Sequence, residues 1–70
     1  MPIKYKGKRL PETLVRGKYA YRRVGSFYSK SEAEAYKDQT LHSLLVEADI
    51  PEQFGADVKY HVFRRIGAGG

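Results

Sequence analysis

The chain has 70 residues, no cysteine and two histidines, so it forms one domain at most and offers neither a disulfide nor a thiolate metal site. No apolar run approaches the roughly 18–20 residues needed to span a bilayer. The basic start of the chain also lacks the apolar stretch of a secretory signal. We therefore expect a small cytoplasmic protein that needs no metal or cofactor and does not enter a membrane.

The net charge of +5 is segregated along the chain. Residues 1–30 hold nine Lys/Arg and one acid, residues 31–57 hold one Lys and seven acids, and residues 58–70 hold three Lys/Arg and no acid. Two basic segments thus flank an acidic one. Segregation of this kind bears on partners and on electrostatic steering, and it favours an anionic partner.

The first 27 residues predict β structure. Residues 1–11 form a basic N-terminal arm or a weak strand near Ile3 to Lys6. A weak strand at about 12–16 and a stronger one at about 18–25 follow, because this stretch is rich in β-branched and aromatic residues. Arg16-Gly17 is either a two-residue hairpin turn, with Gly17 at positive φ, or a bulge in one long strand.

The next segment predicts one long helix. Ser29 and Glu32 have the spacing of a capping box. Apolar residues from Ala33 to Ala48 then recur at intervals of three and four, as on the buried stripe of a helix. The helix should end near Glu47, because Pro51 cannot lie inside it. A further helical turn is expected from Pro51 to Gly55.

The last segment, "DVKYHVFRRI", predicts a second strong strand, and residues 68–70 predict a disordered tail. The expected fold class is therefore α+β, in the order β-β-α-β. It has a small two- to four-stranded sheet with one long helix packed on one face. Residues 12–67 would form this single domain.

A short pattern, aromatic-Arg-Arg-aliphatic-Gly, occurs in both strong strands, at Tyr21 to Gly25 and at Phe63 to Gly67. Neighbouring side chains of a strand point to opposite faces, and one helix covers only one face. We therefore expect an open face on which aromatic and basic side chains alternate, so that rings stack on bases and cations neutralise phosphates. The alternative is that the aromatic residues only pack the sheet and the arginines pair with helix carboxylates.

These patterns predict a non-enzymatic nucleic-acid-binding protein, with DNA as the expected partner and phosphates as the main contacts. The serines have no evident His-acid companions, Ser29 is explained as a helix cap, and His61 is expected on the surface. The alternative is an interaction module that binds a protein partner or a second copy as a homodimer. The candidate interface is Arg16, Lys18, Tyr21, Arg22, Arg23, Lys59, Arg64 and Arg65, with arm contacts from Lys6, Lys8 and Arg9.

The stretch Val24 to Tyr36, "VGSFYSKSEAEAY", resembles the junction of sheet and helix in ethylene-response-factor DNA-binding domains and in the arm-binding domains of phage integrases. In those families a three-stranded sheet enters the major groove. The resemblance covers 13 residues and implies DNA contacts by Arg16, Lys18, Tyr21, Arg22 and Arg23. The same stretch also resembles the sporulation-related repeat that binds peptidoglycan, whose β-α-β order is closer to the order expected here.

Overall fold

The computed structural model describes residues 2–68, which form a five-stranded sheet and two short helices. In chain order the elements are β1 (Ile3–Tyr5), β2 (Thr13–Arg16), β3 (Tyr19–Phe27), α1 (Lys30–Asp38), β4 (Ser43–Ala48), α2 (Pro51–Phe54) and β5 (Tyr60–Ala68). The strand order is β1-β4-β5-β3-β2. β1 is parallel to β4, and the other neighbours are antiparallel. Within residues 2–68, no helix combines the length and the apolar character needed to cross a membrane.

The prediction of a small sheet with one long helix is wrong, because the predicted helix is divided between α1 and β4. α1 ends at Asp38, and His42 then adopts a φ of 54°, which no α-helix accommodates. The Ser43 hydroxyl donates to the carbonyls of Lys37 and Thr40 and so closes the end of the helix. The chain then enters the sheet as β4, between β1 and β5.

The two faces of the sheet bury different sets of side chains. The face that carries α1, here called the helix face, packs Ala33 against Leu45 and Val62. The opposite face, here called the core face, buries Leu10, Val46, Ala48, Ile50 and Phe63 in one cluster. β4 is therefore apolar on both faces, as an interior strand requires.

The N-terminal segment contributes to the core face. β1 extends the sheet beside β4, and the buried Leu10 packs in the core cluster. The Gln53 side chain holds Leu10 at both backbone groups: Leu10 N donates to Gln53 Oε1 at 2.7 Å, and Gln53 Nε2 donates to Leu10 O at 2.9 Å. At the other end, Ala68 completes β5. The remainder of the predicted tail, residues 69–70, lies outside the described residues, as does residue 1.

Candidate nucleic-acid interface

The hairpin of β2 and β3 places two cations at one end of the sheet. Its loop is Gly17-Lys18, one residue later than predicted, and Gly17 has a φ of 60° at the first loop position. Such a φ strongly favours glycine there. Arg16 and Lys18 are both exposed. We call the end of the sheet at this loop the hairpin end.

Two of the predicted arginines face each other on the helix face. Arg22 of β3 and Arg64 of β5 are direct partners in the antiparallel register. The Arg22 side chain is 62% exposed and lies 4.0 Å from Glu12 Oε2, the outer limit of an ion pair. Within residues 2–68, no carboxylate lies within 4.0 Å of the exposed Arg64 guanidinium. Like charges placed directly opposite each other in a sheet are unfavourable, so the free protein gains nothing from this pair.

Arg64 also lines a concave surface, here called the α1–sheet groove. It lies between the C-terminal end of α1, the loop 39–42 and the sheet, and has a volume of about 490 Å³. The lining residues are Val24, Tyr36, Gln39, Thr40, Leu41, His42, Arg64 and Arg65, none of which is acidic. Leu41 is 82% exposed, and Val24 and Tyr36 are exposed as well. The groove therefore combines apolar surface with positive charge.

The stretch "VGSF" shapes the wall of this groove. Val24 lies at a break in the β3–β5 register, between Arg23 and Gly25. A Cβ atom at Gly25 would lie 2.9 Å from the Phe27 ring, so glycine lets this ring lie against the backbone. The Phe27 ring in turn contacts Tyr36 of α1, with 5.3 Å between the ring centroids. The position of the Tyr36 ring beside the groove thus depends on Gly25.

The core face holds a polar network that the sequence analysis missed. Arg23 Nη1 donates to Ser26 Oγ at 2.9 Å, and Ser26 Oγ and His61 Nδ1 share a hydrogen bond of 2.9 Å. The Arg23 guanidinium also lies 4.8 Å from the centre of the Phe54 ring and 3.6 Å from Glu12 Oε1. These contacts leave the Arg23 side chain 24% exposed, so it holds the fold together rather than facing solvent.

His61 lies at the centre of this network. It is fully buried, its ring stacks against Phe54 at 4.3 Å, and its Nε2 has no hydrogen-bond partner among the described residues. The pKa of His61 is lowered from 6.5 to about 4, first because burial disfavours the charged ring and second because the Arg23 charge repels it, while the Ala48 backbone opposes the shift. The ring is therefore neutral near pH 7. The expectation of a surface histidine is wrong.

The predicted open face of aromatic and basic side chains is also wrong. The register does bring Tyr21, Arg23, His61 and Phe63 to one face, but this is the core face. Phe63 and His61 are fully buried there, and Tyr21 is half-buried. One signal in the sequence was available, because His61 shares a strand face with Phe63 and so with the core.

The remaining predicted cations fall into two groups at opposite ends of the sheet. Arg65 lies at the hairpin end, where its guanidinium stacks on Tyr19 at 4.5 Å. It joins Arg16, Lys18, Arg22 and Arg64 there. Lys59 precedes β5 at the other end, roughly 16 Å along the strand from Arg64 at about 3.3 Å per residue. The predicted arm residues, Lys6, Lys8 and Arg9, are exposed and follow β1 at this other end. No single contact surface includes all of them.

Within residues 2–68, no group of three His, Cys, Asp or Glu side chains is placed to hold a metal ion. Comparison of the chain with protein-family models, with characterised proteins and with solved structures finds no match. The resemblances of Val24 to Tyr36 therefore remain predictions.

Proposed function

We propose that this protein binds nucleic acid, with DNA as the first candidate, and catalyses no reaction on it. The proposed contact surface is the helix face at the hairpin end, with Arg22 and Arg64 at its centre and with Arg16, Lys18 and Arg65 around them. The observation that supports this most strongly is the direct pairing of Arg22 with Arg64 on an exposed part of the sheet.

The physical reason is that the pair is unfavourable in the free protein and favourable in a complex with a polyanion. Two guanidinium groups on directly opposed residues repel each other, and the one acid near Arg22 is at 4.0 Å. A phosphate placed between them would accept charge-assisted hydrogen bonds from both. Arginine suits this role because its planar donors match the oxygens of a phosphate.

A duplex of 20 base pairs, titrated by fluorescence anisotropy at several salt concentrations, tests the proposal. Five cations at the hairpin end would give a log–log slope of affinity against salt of about −4 to −5, at about 0.9 per neutralised phosphate. In the double variant Arg22→Gln/Arg64→Gln, the slope should become shallower by about two. The double variant Lys6→Gln/Lys59→Gln is the matched control, because it removes the same charge from the opposite end of the sheet.

Two outcomes would contradict the proposal. One is no binding at low salt with tens of micromolar protein. The other is an equal loss of affinity in the two double variants, which would mean that only the overall charge matters. Arg23 is left unchanged in both, because its contacts with Ser26 and Phe54 make any substitution there a test of stability.

A second candidate function is the binding of a protein partner or of a second copy. Four exposed aliphatic side chains favour it, because contiguous apolar surface is typical of protein interfaces: Val15, Val24, Leu41 and Ile66. Sedimentation of the protein at rising concentration tests self-association. The double arginine variant should leave an apolar interface intact, whereas Leu41→Ser should weaken it.

A further inference from the structure

We infer that the α1–sheet groove receives one unpaired nucleobase, so that the protein prefers single-stranded to double-stranded nucleic acid; this deepens, and rests on, the proposed function. The juxtaposition that supports it is an exposed aromatic ring, an exposed leucine and an arginine around one concave surface.

The chemistry of the lining suits a base. Tyr36 presents an aromatic ring for stacking, and Leu41 and Val24 supply apolar surface on either side. Bases stack on such rings irrespective of sequence, because every base has a π-face. Gln39 is exposed at the same surface, and its side-chain amide offers both a donor and an acceptor to the edge of a base. The volume of about 490 Å³ lies within the range of small-molecule sites.

The charge of the groove suits the phosphate attached to that base. Arg64 lines the groove and is also the cross-strand partner of Arg22, so the groove opens directly onto the two arginines of the proposed contact surface. No acidic side chain lines it. By contrast, the cavity beside the first turns of α1 is lined by Glu34 and Asp38, and the cavity beside α2 by Asp49 and Glu52. Of these three concave surfaces, only the α1–sheet groove has a lining that complements an anion.

The fold itself gives no reason for the exposure of Leu41. This side chain lies in the loop 39–42, is 82% exposed and belongs to neither core cluster. The neighbouring residues hold the loop in place: Thr40 Oγ1 donates to Tyr36 O at 3.0 Å, and Arg65 N donates to His42 O at 2.9 Å. An apolar side chain is thus presented to solvent on a loop tied to both α1 and β5.

A preference for single strands follows from the shape of the site. A base inside a duplex is stacked on both faces and paired at its edge, so it must be flipped out before it can enter a groove. Flipping costs a few kcal/mol, and tenfold in affinity corresponds to about 1.4 kcal/mol. We therefore expect a single strand to bind at least about tenfold more tightly than a duplex of the same length.

The experiment uses a 12-nucleotide thymine strand with one central 2-aminopurine, and a duplex of equal length as the competitor. Binding should change the 2-aminopurine fluorescence as this base stacks in the groove. Tyr36→Leu should lower the single-strand affinity by roughly five- to a hundredfold, the range seen for loss of one stacked base. The control Tyr28→Leu should have no effect, because Tyr28 is 70% exposed beyond the other end of β3.

A second variant keeps the test decisive if Tyr36→Leu is unfolded by circular dichroism, since Tyr36 packs on Phe27. Leu41→Ser changes an exposed side chain, should leave the fold intact, and should lower single-strand affinity without changing duplex affinity. Equal affinity for both forms, with Leu41→Ser like wild type, would overturn the inference and leave the proposed function standing. Binding of neither form would overturn the proposed function and the inference with it.

Discussion

Acid should destabilise this protein through His61. The ring is fully buried between Phe54 and Ser26, and its pKa is lowered from 6.5 to about 4. As the pH falls below about 6.5, the unfolded chain binds a proton at His61 while the folded chain does not. The stability that His61 contributes is therefore complete above pH 6.5 and is lost as the pH falls towards 4.

The size of this effect follows from the two pKa values. A difference of about 2.5 units, at about 1.36 kcal/mol per unit, corresponds to about 3 kcal/mol in total. Of this, about 2 kcal/mol should be lost between pH 7 and pH 5, a range in which ordinary carboxyl groups remain largely ionised. A domain of 70 residues has a free energy of unfolding of roughly 4–10 kcal/mol, so the loss is a large fraction of the total.

Urea denaturation at pH 7, 6 and 5 measures this loss. The chain has no tryptophan, so far-ultraviolet circular dichroism reports unfolding. His61→Phe keeps a ring against Phe54 but removes the titrating group, and its stability should change far less with pH. His42→Asn is the matched control for removing a histidine, since asparagine tolerates the positive φ of 54° at that position. If wild type and His61→Phe lose stability in parallel from pH 7 to pH 5, the proposed role of His61 is wrong.

Three further substitutions test the contacts beside the groove and the network, each by urea denaturation at pH 7. Gly25→Ala should cost about 1–3 kcal/mol, because the new Cβ would lie 2.9 Å from the Phe27 ring; an unchanged midpoint would show that this ring moves freely. Ser26→Ala should cost about 1–3 kcal/mol, since Arg23 Nη1 and His61 Nδ1 would both lose a partner. Ser29→Ala should cost about 1 kcal/mol, because the Ser29 side chain accepts the Glu32 N–H and caps α1. A loss under about 0.3 kcal/mol in either serine variant would contradict its assigned contact.

Local signals in the sequence were reliable where one residue type is needed by one local geometry. Ser29 caps α1 as predicted, Pro51 begins α2, and Gly17 takes a positive φ in the hairpin loop. In each case the side chain or the backbone of a single residue decides the local structure, whatever the rest of the chain does.

The division of the predicted helix could not be read in the same way. The run Leu44-Leu45-Val46 satisfies a helical stripe, but it also satisfies an interior strand that is buried on both faces. Periodicity does not distinguish these two, and the decision depends on β1 and β5, which provide the neighbouring strands. Both lie more than a dozen residues away in the chain, so the information that selects β4 is non-local.

The repeated arginine pairs show how register turns one local pattern into two different roles. β3 and β5 are antiparallel neighbours, and Arg22 pairs with Arg64, whereas Arg23 pairs with Phe63. A slip of one residue would exchange the faces of all four arginines, and the register also shifts at Val24. The sequence alone therefore cannot tell which arginine of each pair is outward. In the folded chain Arg23 is committed to Ser26 and Phe54, while Arg22 and Arg64 face one another beside the groove. Since repulsion between these two is a cost that the fold does not recover, an anionic partner is the simplest source of the compensating energy.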